Sequence, residues 1–201
     1  MLTKHCPAAQ AIQRFSSVFV IGLEKRLHVL FAPGETIPVL KERFDELQRE
    51  LLSEIRSYYK DRLVSVVLFG SVARGTQRFE SDLDLLVIAE DLPRGRMRRV
   101  REFMRVEERL EPFLAALKTC GIHTFLSPVI KSPEEALKGS PLFLDMVEDA
   151  KILFDRNGFF AGILERLRRR LMSLGARRRW RGDAWYWDLK PDLKPGEIFE
   201  L

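Results

Sequence analysis

Gly70 and Ser71 close a run rich in Val and Leu, Leu63 to Phe69, and, after ten intervening residues, the pair Asp82 and Asp84 brackets the start of a second run, Leu83 to Ala89. A strand that ends in Gly-Ser and turns into a helix aims backbone N–H groups and a hydroxyl at a phosphate, and glycine lets that phosphate approach the backbone. Two aspartates at positions i and i+2 of a strand project from one face, so both can hold one Mg²⁺ or a bridged pair of metals, while Leu83 and Leu85 face the other way. Ten intervening residues suffice for a short helix and a turn that return the second strand alongside the first, bringing phosphate and metal together. The competing explanation is a glycine-bounded hairpin with surface aspartates. A hydrophobic strand on each side and the spacing between the half-motifs favour chemistry.

The remaining pattern supplies a scaffold. Leu40, Phe44, Leu47, Leu51, Ile55 and Tyr58 recur at steps of three and four and predict an amphipathic helix ahead of the first strand. Met97, Val100, Phe103, Met104, Leu110, Phe113, Leu114 and Leu117 predict another between Arg94 and Thr119, closed by Gly121. Ile122 to Ile130 reads as a third strand, Ser132-Pro133-Glu134-Glu135 as a capping box, Ser140-Pro141 as a further helix start and Lys151 to Phe154 as a last strand. A basic amphipathic helix follows from Phe159 to Leu174, and then an Arg-rich and aromatic tail. The order predicts a mixed α/β (α+β) fold, a mixed β-sheet flanked by helices. Residues 1–34 are expected to form an N-terminal arm or hairpin, 35–155 the main domain, and 156–201 a basic helical and aromatic extension packed on the same body.

Gly-Ser, ten residues and Asp-x-Asp resemble the signature of the DNA polymerase β-like nucleotidyltransferase superfamily, and Gly70-Ser71-x-Ala73-Arg74-Gly75 resembles its minimal nucleotidyltransferase branch. The resemblance spans Leu63 to about Phe154. It implies a polymerase β-like fold and an enzyme that moves a nucleoside monophosphate, AMP with ATP as donor, to a hydroxyl as pyrophosphate leaves. Carried over by position, Asp82 and Asp84 would be catalytic and bind Mg²⁺, one ion or two. Gly70 and Ser71 would hold the phosphates, and Arg74 would either support them or cap the turn. The acceptor is left open among a protein, an RNA and a small molecule. Some members of that branch act as antitoxins on a small helical partner nuclease, which makes such a protein a candidate partner here.

The resemblance also exposes a departure. Active members place a third carboxylate on a later strand, and that position falls near Ser127, which is followed by Pro128. Without it the obvious general base for the acceptor hydroxyl is missing. A second reading follows: a catalytically weak nucleotide-binding or antitoxin-like regulatory protein. His123, four residues earlier, is the nearest substitute base, although an ordinary buried or edge histidine explains it more simply.

The chain has 201 residues, 46% hydrophobic, enough for one sizeable core, with a formal charge of +5. That charge is local: from Arg156 to Arg181 nine Arg face the single acid Glu165. A solvated helix face and recognition of RNA or an acidic partner are both open for this stretch, with Trp180, Trp185, Tyr186 and Trp187 available for base stacking between Arg166 and Trp187. Arg94, Arg96, Arg98, Arg99, Arg101 and Arg105 form a second basic run, read as a solvated face or as a flank of the active-site cleft. Asp145, Glu148 and Asp149 read as a surface acidic face, and Glu134 and Glu135 as partners of a helix dipole. Cys6 and Cys120 lack companions at metal-ligand spacing, and the apolar stretch Phe15 to Leu23 is too short to span a bilayer. A cytoplasmic protein without a membrane segment is expected.

Overall fold

The computed structural model describes residues 36–182, 184–194 and 196–200, so the expected arm over residues 1–34 lies outside the described part of the chain. Helix α1 (Thr36–Tyr59) is followed by a single 3₁₀ turn and strand β1 (Leu63–Leu68). The short helix α2 (Gly70–Ala73), strand β2 (Leu83–Ala89) and helix α3 (Arg96–Thr119) come next. Strand β3 (Leu126–Lys131), helices α4 (Pro133–Leu137) and α5 (Leu142–Asp149) and strand β4 (Lys151–Asp155) complete the central part. Helix α6 (Phe159–Ser173) and the hairpin β5 (Arg177–Arg181) and β6 (Ala184–Asp188) end it. Among the described residues no helix is long and apolar enough to cross a membrane.

The four-stranded sheet has the order β3-β2-β1-β4, with β1 antiparallel to both neighbours and β2 parallel to β3. All six residues of β1 are buried, which explains why this strand reads as a run rich in Val and Leu rather than an alternating one. Its side chains divide between two cores. Leu63, Val66 and Leu68, with Leu83, Leu85 and Val87 of β2, pack against Phe44, Leu47 and Leu51 of α1 and Phe103 and Val106 of α3. Val64 and Val67, with Leu86 and Ile88, pack on the opposite face against Phe143 and Met146 of α5 and Phe160 and Ile163 of α6. Each such side chain removed from water contributes about 1.5–3 kcal/mol, so both helical layers are held to one central strand pair.

Polar groups inside this sandwich are answered locally. Ser65 is fully buried, and its hydroxyl donates to Asp155 Oδ1 at 2.6 Å. The same carboxylate accepts the Phe160 and Ala161 N–H groups at 3.0 and 2.9 Å, satisfying orphan donors at the start of α6.

The capping box forms as the sequence predicts: Ser132 Oγ accepts from Glu135 N at 3.3 Å, and Ser132 N donates to Glu135 Oε2 at 3.0 Å. Arg99 adds a two-pronged contact, 2.5 and 2.9 Å to the two Glu135 oxygens, and a third bond to Ile130 O at 3.2 Å. The Arg99 hydrogen bonds pull the Glu135 carboxyl down to about 2. A depressed folded-state value stabilises the fold above the unfolded value and ceases to do so as pH falls through the folded one. Glu135→Gln is therefore expected to lower the urea midpoint at pH 7, with the gap to wild type closing between about pH 4.5 and pH 2.

One expectation is corrected. The third strand begins at Leu126, not Ile122, because the segment before it bonds elsewhere: His123 N donates to Phe79 O at 2.7 Å. The tail after α6 contains a hairpin. Cross-strand pairing puts Arg178, Trp180, Trp185 and Trp187 on one of its faces and Arg177, Arg179, Arg181 and Tyr186 on the other. Arg178 bonds Asp149 at 2.8 Å and stacks over the Trp185 ring at 4.0 Å, and Trp187 packs against the core beside α6.

Candidate active site

The antiparallel register of β1 and β2 dictates where the two half-motifs meet. Leu68 lies opposite Leu85, and Phe69 N donates to Asp84 O at 3.1 Å, so Gly70 emerges directly beside Asp84. Gly70 has φ +73°, and a Cβ built on it would collide with Asp84 Oδ2. This position therefore needs glycine on two counts, backbone conformation and close approach of a carboxylate. Ser71 and Val72 follow in the first turn of α2, where backbone N–H groups have no helical acceptor. The return loop is held by Thr76 N to Ser71 O at 2.9 Å and Arg78 N to Ser81 Oγ at 2.8 Å.

Asp82 is exposed and Asp84 half-buried, while Leu83 between them is fully buried. Asp82 sits one residue before β2, but Leu83 N donates to Phe125 O at 2.8 Å, so the alternation continues through it. The two carboxylates thus share the face that carries Leu86 and Ile88, the face covered by α5 and α6. In the parallel β2–β3 ladder Asp84 lies opposite Ser127. Burial pushes the Asp84 carboxyl up from the ordinary range; the Ser127 hydroxyl counters this, the Asp82 charge adds to it and the Arg74 charge opposes it.

The remaining expected residues distribute unevenly. Arg74 is exposed at the end of α2, close enough for its charge to act on both Asp84 and Asp145. His123 is exposed and precedes β3 rather than sharing its ladder. Among the described residues no third His, Cys, Asp or Glu completes a metal cluster with the aspartate pair. Asp145 and Asp149 are not a plain surface face. Asp149 is paired with Arg178, and Asp145 is half-buried, its carboxyl raised by burial and opposed by Arg178 and Arg74. Nothing local in the sequence marks Asp145, because the arginines that act on it come from α2 and β5. The second basic run does not flank this site: it begins beyond the opposite end of β2, and Arg99 is bound to Glu135.

A Gly-Ser turn set against two aspartates at one end of a mixed sheet is a layout suited to a protein that transfers phosphorus-containing groups. The nucleotidyltransferase domain profile matches residues 48–137. A Methanocaldococcus jannaschii protein named "Putative protein adenylyltransferase MJ1305" is 36% identical over 121 residues, which cover 59% of this chain and 77% of that protein. A second from the same organism, "Putative protein adenylyltransferase MJ0141", is 42% identical over 48 residues, 24% of this chain and 48% of that one. Similar solved structures include a "putative nucleotidyltransferase" of Sulfolobus solfataricus at 20% identity and TM-score 0.39, covering 63% of this chain and 94% of that one. Another, described as a toxin–antitoxin with AMP-PNP, has 18% identity and TM-score 0.40 and covers 64% and 92%. The chain belongs to the nucleotidyltransferase family and is a transferase.

Proposed function

We propose that this chain transfers AMP from ATP to a hydroxyl group of a protein, using Mg²⁺ held at Asp82 and Asp84. The observation that carries the reading is the packing of the Asp84 carboxylate onto Gly70, which brings the carboxylate pair to the first turn of α2. A protein acceptor is favoured by the name of the M. jannaschii relative.

The donor set fits the ion. Mg²⁺ is commonly bound by one or two carboxylates, the substrate's phosphates and several waters, and two hard oxygen acids without nitrogen or sulfur ligands suit that pattern. When bound, Mg²⁺ offsets the triphosphate charge and polarises the α-phosphate. The Ser71 and Val72 N–H groups with the Ser71 hydroxyl donate to the phosphate oxygens. Arg74 adds a positive charge on the same side. The acceptor oxygen attacks the α-phosphorus, the bond from that phosphorus to the bridging oxygen breaks, and pyrophosphate leaves. Ser127 stands opposite Asp84 where the family resemblance calls for a carboxylate. A serine hydroxyl takes no proton at neutral pH, so the acceptor's proton passes to solvent.

That same serine favours a second reading, in which the chain binds nucleotide but acts mainly through a partner protein. Incubation of the purified chain with α-labelled ATP, Mg²⁺ and lysate of its native host separates these. Label in a discrete product removed by protease supports the proposal. Label removed by ribonuclease instead would make RNA the acceptor, with the Arg166 to Trp187 stretch as its natural contact. Nucleotide binding without any labelled product would favour the regulatory reading.

A further inference from the structure

A hollow of about 480 Å³ lies between the end of α1 and the first half of α3. Three arginines of α3, Arg98, Arg101 and Arg105, form one wall, and their spacing of three and four residues puts them on one helix face. Tyr58, Leu92 and Pro93, all half-buried, supply an apolar side. Among the described residues neither Arg98 nor Arg101 has a carboxylate within ion-pair distance, and Arg105 meets only exposed Glu108 at 3.3 Å. Of the two acids at the hollow, Glu102 is already answered by Arg62 at 2.8 Å, leaving Asp91 as the only other negative charge. The hollow therefore carries a surplus of positive charge that the fold does not use.

Its position separates it from the transfer site. Asp84 lies near the start of β2 and Asp91 just beyond its end, seven residues on. The five steps from Asp84 to Ala89 within the strand alone span about 17 Å at about 3.3 Å per residue. The lining chemistry selects a ligand. Guanidinium forks match phosphate oxygens two at a time, which a lysine cannot do, and three of them along about two helical turns suit a chain of phosphates better than a single one. The apolar side suits a flat heterocycle, and the hollow is broad and open to solvent, so a ligand there keeps one side in water.

We propose that this hollow is a second ligand site, taking a nucleoside di- or triphosphate with its phosphates on Arg98, Arg101 and Arg105 and its base against Tyr58, Leu92 and Pro93. The inference stands independently of the AMP-transfer reading, because it uses none of the residues of the transfer site.

ADP is the probe, titrated calorimetrically into the wild-type chain and into the Arg98→Ala, Arg101→Ala, Arg105→Ala variant. The variant is expected to bind one equivalent fewer than wild type, or to bind that equivalent at least about tenfold more weakly, with an unchanged melting temperature. Inorganic phosphate is expected to compete only weakly. Identical ADP isotherms for the two proteins would overturn the proposal. So would phosphate matching ADP in affinity, which would remove the nucleoside from the account. A single-stranded oligoribonucleotide that binds in an arginine-dependent manner where ADP does not would assign the surface to RNA instead. Should the alanine variant melt early, Arg98→Gln with Arg101→Gln preserves side-chain packing and gives the same readout.

Discussion

Replacing Asp82 and Asp84 together by asparagine is expected to lower nucleotidyl transfer by roughly 10³-fold, a loss typical of removing groups that stabilise charge at the reacting centre. Stability is expected to move the other way or not at all. Burial and the neighbouring Asp82 charge hold the Asp84 carboxyl above its ordinary range, so its ionised form costs the folded state free energy at pH 7. Asparagine removes that cost with little change of shape. A thermal melt and a transfer assay on the same sample check both halves. A variant that loses activity only because it unfolds would contradict the assignment of these carboxylates to function.

Gly70→Ala should be nearly as damaging by a different route. The new methyl would meet Asp84 Oδ2, and a non-glycine residue at φ +73° is strained in any case. Strain of this kind costs roughly 1–3 kcal/mol. Displacing the carboxylate from α2 by about an ångström is expected to reduce transfer about 10²-fold. Gly75→Ala is the control: its φ is +71°, but nothing lies within 4 Å of the added Cβ. It shares the strain without the collision and is expected to lose stability while keeping most of its transfer rate. Equal losses of transfer at Gly70 and Gly75 would show that backbone strain, not the approach of Asp84, limits the site.

The parts of this molecule that were legible in the sequence are those fixed by short-range pattern. Buried β1 and β2 announce themselves because both faces of the sheet are covered, so apolar residues run on without alternation. Ser132 and Glu135 were readable because a capping box closes within four residues. The meeting of Gly70 with Asp84 needed only one turn and one antiparallel pairing. The β5–β6 hairpin was not legible, since its inward position is Arg178, whose guanidinium lies on Trp185 and Asp149. A strand that buries an arginine against aromatics looks like a basic tail. The start of β3 is hidden for a related reason: Ile122 is buried, but the backbone at His123 bonds to the loop at Phe79 rather than to β2. No pattern along the chain could show that Arg98, Arg101 and Arg105 stand at the far end of β2 from the aspartates. That follows from the direction in which α3 leaves the sheet, and it changes their meaning from a flank of the transfer site to the wall of a separate hollow.

The central claim, nucleotidyl rather than phosphoryl transfer, is tested most directly by supplying ATP labelled in turn at the α- and the γ-phosphate, with Mg²⁺ and host lysate. α-Label is expected to enter the product while γ-label appears only in pyrophosphate, and both signals are expected to vanish with the asparagine double variant. Entry of γ-label into the product would contradict the claim.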